Sequence, residues 1–429
     1  MPRFDLHVRA PSAASTPDAA SSFYWTATGS STFTPGLGPN LGRLGPVRDL
    51  NVDLSRIAVG IYAADRSVLR TGGGSNWNQR EIELQIPVSD ATIWQAEGSE
   101  LASLVGFLTG DKWSFTFTSE ATDPEPVALK PTQATRVVLL SGGADSAAGA
   151  LLSRRTLDPS EHQILVSHFS NNVIAPVQRQ VAAMAETLVP GASQRHLPLH
   201  LNRTRPIDGK SFPSEASSRS RSLLFLALGL AAASIDGVPL WIPENGFASI
   251  NPPLGPERLG SLSTRTTHPA FIAGLSSVLT RVGAQSEIVN PFLRSTKGEM
   301  FADVAAALGP DAASDYLSST NSCAHTGQRA HGVSPAIACG VCFGCVMRRS
   351  SFLAAGIEDR SSYADASTST QLGHWLAAQS IEGVVRNFAH RGVRTRDLLA
   401  MSLPPEYSLA DATDLCSRGC AELLRYSTQ

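Results

Sequence analysis

The rhythm of apolar positions changes near residue 136. Before it, apolar runs are short and alternate with polar residues or carry β-branched side chains: RFDLHVRA, FYWTATG, RIAVGIYA, REIELQIPV and KWSFTFTSE. Gly, Pro, Asn or Ser separate them, so each predicts a strand. Residues 1–130 are therefore expected to form a β-rich N-terminal domain. One helix is expected around residues 94–108, and a long loop of turn formers over 29–45. A proline-bearing linker over 121–135 follows.

From Arg136 onward, short buried strands alternate with amphipathic helices. RVVLL, ILVSHFS, QRHLPLHL, VPLWIPE and EIVNPF read as strands. Between and after them, SGGADSAAGALLSRR, APVQRQVAAMAETL, SRSRSLLFLALGLAAASI, HPAFIAGLSSVLTRV and TKGEMFADVAAALG read as helices. In the fourth of these, Phe271, Ile272, Leu275, Val278 and Leu279 share one helical face. Strands alternating with helices predict an α/β fold with a parallel sheet covered on both faces, here over 131–360. GHWLAAQSIEGVVRNFA, RTRDLLAMSL and LADATDLCSRGCAELLRYS then predict a helical C-terminal extension over 361–429.

A chain of 429 residues with 42% apolar residues can bury more than one ordinary core. Its net charge of −2 leaves no basic field to collect nucleic acid, and no direct nucleic-acid binding is expected. Lysine is scarce: Lys112, Lys130, Lys210 and Lys297 are the four in the chain. No eighteen apolar residues run together, and the opening MPRFDLHVRA lacks an apolar signal core. The longest apolar stretch, LLFLALGLAAASI, is short enough to be a buried helix. A cytoplasmic protein without a membrane partner is expected.

The strand-to-helix junction RVVLL-SGGADS carries the first chemistry. Gly142 and Gly143 let the backbone approach an anion without a Cβ in the way. The helix that follows offers free N–H groups and a positive dipole end to phosphate. Ser141 and Ser146 can donate from their hydroxyls, Ala144 is small, and Asp145 can cap the helix or help hold Mg2+. The loop lacks the lysine spacing of a Walker phosphate loop. SGGADS after a buried strand resembles the PP-loop of the ATP pyrophosphatase superfamily, whose members adenylate a substrate and release pyrophosphate. That resemblance makes Ser141 to Ser146 the expected ATP and pyrophosphate site.

Cys323, Cys339, Cys342 and Cys345 fall within 23 residues. A C-x2-C-x2-C run puts three thiolates within reach of one tetrahedral ion, and Cys323 can close the set. Zn2+ in a closed structural site is expected; the same spacing can also serve an iron–sulfur cluster. His325 and His331 are read as ordinary loop residues. Cys416 and Cys420, four apart on an expected helix, have no third ligand nearby in sequence and are read as core.

Taken together, the loop and the cysteine block resemble the QueC family, the 7-cyano-7-deazaguanine synthases, over roughly 136–359. RSLLFLALG resembles that family's R-N-L-L-F-L helix, which puts Arg221 in its arginine position with Ser222 in place of the asparagine. VNPFLRSTKGEM resembles the P-L-x-x-x-x-K-x-E stretch and places Lys297. NSCAHTGQ and CGVCFGCVMRRSSF resemble the family's cysteine blocks, with Arg348 and Phe352 in register. The front and the tail go beyond that family. So does the polar segment PENGFASINPPLGPERLGSLSTRTTHP, which departs from its usual substrate segment. Open α/β folds bind ligands at strand carboxyl ends, so this segment supplies Glu244, Asn245, Arg265 and His268 as candidate substrate-binding residues, alongside Asn251, Arg258, Ser263, Thr264, Thr266 and Thr267.

The longer architecture resembles the QueC-like proteins of bacterial anti-phage operons, the QatC group of the Qat system above all. The resemblance implies an adenine nucleotide alpha hydrolase-like, Rossmann-like core that uses ATP and Mg2+ to activate a 7-carboxy-7-deazaguanine-type carboxylate. Asp145, Lys297 and Arg221 are then the candidate catalytic residues. The acyl group would pass to ammonia or to an amine of a protein partner from the same operon. The added front is where such a partner would dock. Two other readings stand beside these: a non-catalytic scaffold of a defence complex, and a tRNA-modifying PP-loop enzyme. The intact SGGADS weighs against the first, and the near-neutral charge against the second.

Overall fold

The computed structural model describes residues 1–11, 20–70, 79–120, 122, 125–127, 133–170, 173–215, 219–254, 265–324, 327–334 and 336–427. Much of the expected linker over 121–135 lies outside the described residues, as do Arg258, Ser263, Thr264 and His325.

The front of the chain runs β1 (Arg3–His7), β2 (Ser22–Tyr24), α1 (Asp49–Ser67), β3 (Glu81–Val88), α2 (Ala91–Ala96), α3 (Gly98–Thr109) and β4 (Lys112–Ser119). Its four strands form a sheet in the order β2-β1-β3-β4, with every neighbouring pair parallel. Along β4 the alternation decides the faces. Trp113, Phe115 and Phe117 point inward, while Lys112, Ser114 and Thr116 face solvent. The described residues of the 29–45 segment form no helix or strand, as its turn formers predict.

RIAVGIYA, expected as a strand, lies inside α1, and this corrects the reading of the front as strands with one helix. The reason is burial. Sixteen of the nineteen residues of α1 are buried, so it shows no amphipathic period, and Ile57, Val59 and Ile61 imitate a strand. Gly60 lets the helix lie close on the sheet: a Cβ there would sit 3.1 Å from Leu84.

The central sheet is built from β5 (Arg136–Leu139), α4 (Ala144–Arg155), β6 (His162–Phe169), α5 (Ala175–Leu188), β7 (Ser193–His200), α6 (Arg221–Asp236), β8 (Leu240–Trp241), α7 (Gly246–Ser249), α8 (Pro269–Val282) and β9 (Ile288–Val289). Its order is β7-β6-β5-β8-β9, all parallel. The chain builds outward from β5 in both directions. A crevice therefore opens between the carboxyl ends of β5 and β8, where open parallel sheets bind ligands. This is the PP-loop, Rossmann-like α/β core expected from the sequence.

α9 (Lys297–Leu308), α10 (Pro310–Ser318) and α11 (Phe343–Ala355) follow, and the tail is helical: α12 (Thr370–Gln379), α13 (Glu382–Arg391), α14 (Thr395–Ala400) and α15 (Leu409–Ser427). Helices α1 and α3 of the front pack on α6 and α8 of the centre. One hydrophobic core consequently runs from Phe4 and Trp25 through Ile57 and Leu84 to Leu226, Leu240 and Leu279. Burial of each such side chain contributes about 1.5–3 kcal/mol. The tail has a core of its own, in which Phe388, Leu415 and Leu423 meet Phe247, Ile250 and Met347 of the centre. Among the described residues no helix is long and apolar enough to cross a membrane.

Candidate active site

The loop after β5 is held in one shape by its own atoms and by two neighbours. Gly142 has φ +91°, which favours glycine, and a Cβ there would crowd Ile174 at 3.1 Å and Gln178 at 3.2 Å. Ser146 Oγ accepts from Ser141 N (3.1 Å) and donates to Gly143 O (2.9 Å), while Gly143 N donates to Ser141 Oγ (3.2 Å). Gln178 Nε2 donates to Ser141 O at 3.1 Å. From the cysteine-bearing segment, Asn321 N donates to Gly142 O (2.9 Å) and Ser322 Oγ accepts from Ala144 N (3.3 Å). The three-turn helix α4 starts here, so its positive end faces the loop.

Four expected site residues meet beside it. Asp145, in the first turn of α4, takes Lys297 Nζ on Oδ2 at 2.7 Å, with the two residues 8% and 5% exposed. Asn245, past β8, donates from Nδ2 to Asp145 Oδ1 (3.3 Å) and to Glu244 Oε1 (3.1 Å). Its own Oδ1 accepts from Ala248 N at 2.8 Å, capping α7 and fixing the amide's direction. Lys297 is the first residue of α9, behind a capping box in which Thr296 and Glu299 satisfy each other's backbone N–H. A lysine ammonium and a carboxylate are thus drawn out of water together beside the SGGADS turn. Burying such a pair is costly in isolation, which makes it a functional signal as much as a structural one.

The remaining candidates lie elsewhere. Arg221 is exposed at the start of α6 and forms no hydrogen bond with the loop among the described residues. Arg265 lies over the Phe107 ring at 4.4 Å. His268 caps α8 through Nδ1, accepting from Ala270 N (3.2 Å), and Nε2 lies 2.7 Å from Met401 O. Burial pushes the His268 imidazole down to about 4, partly countered by that carbonyl, and nearby Arg265 pushes it the same way as burial. The ring is therefore neutral, with its proton on Nε2. Arg265 and His268 join front, centre and tail, and do not contact Asp145 or Lys297.

The four sulfurs of Cys323, Cys339, Cys342 and Cys345 lie within 4.8 Å of one another. Cys339 and Cys345 are 3.8 Å apart, and Cys342 and Cys345 3.5 Å. Tetrahedral bonds of about 2.3 Å need sulfur–sulfur edges of about 3.8 Å, so the cluster is compatible with zinc. Backbone N–H groups point at the sulfurs, Cys339 N on Cys323 at 3.3 Å and Cys342 N on Cys339 at 3.4 Å, as a bound thiolate requires. The neighbouring thiols hold Cys342 well below its usual range. Cys416 and Cys420 sit apart in the tail core, where burial pushes them up to about 12 and about 11. His331 faces the Trp375 ring at 5.7 Å.

Sequence reasoning did not single out Gln178, Asn321 or Ser322 as loop braces. Ser322 stood beside a conspicuous cysteine, whereas nothing local marks Gln178. A cavity of about 560 Å3 lies in the front, by the carboxyl ends of β3 and β4. Of its charged lining, Asp53 is engaged by Ser89 and Trp94, and Arg56 by Asn40.

Comparison with known proteins adds one relative. Over 250 residues the chain is 31% identical to 7-cyano-7-deazaguanine synthase 1 of Sphingopyxis alaskensis, covering 54% of this chain and 98% of that protein. No family model matches.

Proposed function

The chain belongs to the 7-cyano-7-deazaguanine synthase family, and from that premise we propose that it uses ATP to adenylate a 7-carboxy-7-deazaguanine-type carboxylate and passes the acyl group to an amine of a partner protein. The observation that carries this reading is the Asp145–Lys297 pair, 2.7 Å apart beside the SGGADS loop. On this reading the chain is a carbon–nitrogen ligase forming AMP and pyrophosphate. We further propose a place in anti-phage defence of the Qat type, with the region 1–130 as the partner's docking surface and 361–429 as an extension of the catalytic unit 131–360.

A carboxylate oxygen is a poor leaving group, so acyl transfer needs activation. One carboxylate oxygen attacks the α-phosphorus of ATP, the bond to the bridging oxygen breaks, and pyrophosphate leaves. The amine then attacks the acyl carbon, AMP departs with the former carboxylate oxygen, and the amine loses a proton. The chain's part is to align the reactants and to stabilise charge that grows on the leaving oxygens. Gly142, Gly143 and the α4 N-terminus would cradle the pyrophosphate, with Ser141 and Ser146 donating. Lys297 carries the compensating positive charge, and Asp145 holds it in line.

Asp145 offers the hard oxygen donor that Mg2+ prefers, and there Mg2+ would neutralise phosphate charge. Zn2+ on Cys323, Cys339, Cys342 and Cys345 would be structural: all four positions are thiolates, which leaves none open for chemistry. Glu244 and Asn245 are the residues proposed to read a base edge, from the β8 side. Arg221 would act from α6, on the far side of β5.

Ammonia as the acceptor is the second reading, favoured by the alignment to nearly the whole of the Sphingopyxis relative. Both readings share the first half-reaction. Mass spectrometry of one mixture separates them: purified chain, ATP, Mg2+, 7-carboxy-7-deazaguanine and ammonium, with and without co-expressed neighbouring operon proteins. A deazaguanine-sized mass gain on a neighbour is the expected result. A free amide or nitrile without neighbours would establish the ammonia reading. AMP in neither case would remove both and leave the scaffold reading.

A further inference from the structure

Helix α15 of the tail reaches the start of α9. On α15, Glu422 is buried and lies across the start of α9, the helix whose first residue is Lys297. Its Oε2 accepts from Gly298 N at 3.1 Å, and its Oε1 accepts from the hydroxyl of Thr296, the N-cap. The approach leaves no spare room: a Cβ on Gly298 would lie 2.4 Å from Glu422 Oε1. One turn earlier, Arg418 donates to Glu299 Oε1 (2.6 Å) and to Arg294 O (3.0 Å). The residues before and after Lys297 are thus gripped from α15 by a carboxylate and a guanidinium. The same helix carries Gly419, where a Cβ would meet the Phe247 ring at 2.6 Å, so α15 also lies against α7 and the segment bearing Asn245.

We infer that Glu422 is a positioning residue: it fixes the first turn of α9 so that Lys297 is delivered to Asp145. The physical basis is local. A helix start has unpaired N–H groups and a positive end, and a buried carboxylate satisfies both. Without it, the Gly298 N–H and the Thr296 hydroxyl are left buried without their acceptor, and the first turn has reason to fray. Lys297 stands at the most frayed position, N1. On this account the tail completes the site. The inference rests on the reading of Lys297 as the charge-bearing group for adenylation.

Lysine labelling tests it without assuming any activity. The full chain is treated with an acetylating reagent and labelling is read peptide by peptide, with exposed Lys112 and Lys210 as internal standards (side chains 65% and 84% exposed). Glu422→Ala is expected to raise Lys297 labelling by about fivefold or more through local opening, with the two standards unchanged. Glu422→Gln, which keeps one acceptor, recovers part of the protection. In parallel, ATP–pyrophosphate exchange with 7-carboxy-7-deazaguanine as probe should lose about tenfold in kcat, with KM for ATP moved less than about threefold. Leu423→Ala loosens the same helix without touching the cap. Unchanged Lys297 labelling in Glu422→Ala, or an equal rise in Leu423→Ala, would overturn the inference. If the unaltered chain shows no exchange at all, the adenylation reading fails, while the labelling still decides the positioning role.

Discussion

Asp65 holds the turn that leads into α6 from 154 and 155 residues earlier in the chain: its Oδ2 accepts from the backbone N–H of Arg219 and of Ser220, each at 3.0 Å, and from the Ser220 hydroxyl at 2.7 Å. Its other oxygen pairs with Arg80 at 2.5 Å, and Arg80 reaches Asp111 at 2.6 Å. Asp65 lies on α1 of the front and Ser220 at the start of α6 of the centre. The two sheets are therefore joined by a buried polar network as well as by the shared apolar core, and the region proposed for partner docking is also a structural member of the central α/β unit.

Asp65→Ala should cost about 3–5 kcal/mol, the range for removing one partner of a buried ionic network. Equilibrium urea unfolding read by tryptophan fluorescence and by circular dichroism checks it. Because the front and centre share one core, both probes should move together. A front that melts early and alone would contradict the joint described here.

Lys297→Met and Asp145→Asn should each lower kcat/KM for ATP–pyrophosphate exchange by about 10²–10³-fold, as for loss of one preorganised charge. The pair acts as a unit, so the double variant should lose little more than either single one. Additive losses would mean that the two residues serve separate steps.

How much of this was written locally in the chain differs from site to site. The strands and helices after Arg136 were legible because each is short, bounded and periodic, and SGGADS could be placed at its junction for the same reason. The cysteine cluster was legible from spacing alone. RIAVGIYA was misread because a helix buried on nearly all sides has no polar face to set a period. Asp145, Asn245 and Lys297 could be nominated one at a time, but their meeting depends on the order of strands in the sheet, which no local window holds. Gln178 and Glu422 act through contacts dozens to more than a hundred residues away, on helices whose own patterns are ordinary. Arg265 and His268 were nominated from a polar segment at a strand end, yet their side chains brace neighbouring elements.

Metal analysis by mass spectrometry should find about one zinc per chain, and Cys342→Ser should remove most of it, since a structural site is tightly held by its fourth ligand. The loss should reach the loop. Arg348 on α11 donates to Thr320 O and Leu317 O, both at 2.8 Å, just before Asn321 and Ser322, which brace Gly142 and Ala144. Amide hydrogen exchange over 141–144 is expected to quicken in Cys342→Ser. His331→Ala should leave zinc content unchanged, and a loss there would bring His331 into the ligand set.

Acid should unfold the chain partly through His268. Burial holds its imidazole at about 4 in the fold, whereas an unfolded histidine binds its proton near 6.5. Between those values the unfolded state binds more protons than the folded one, so stability rises with pH across that window. The contribution is complete above about pH 6.5 and is lost progressively as pH falls toward 4, up to about 3 kcal/mol in the limit. His168 and His196 are also held at about 4, mainly by burial, and add in the same sense. His268→Gln cannot take up the proton and keeps a side-chain donor for Met401 O, at some cost in packing. Its urea midpoint should therefore start lower than that of the unaltered chain at pH 7 and fall less between pH 7 and pH 5. Parallel losses in the two proteins would mean that His268 takes up its proton in the fold as readily as in the unfolded chain, and that its burial contributes nothing to the acid sensitivity.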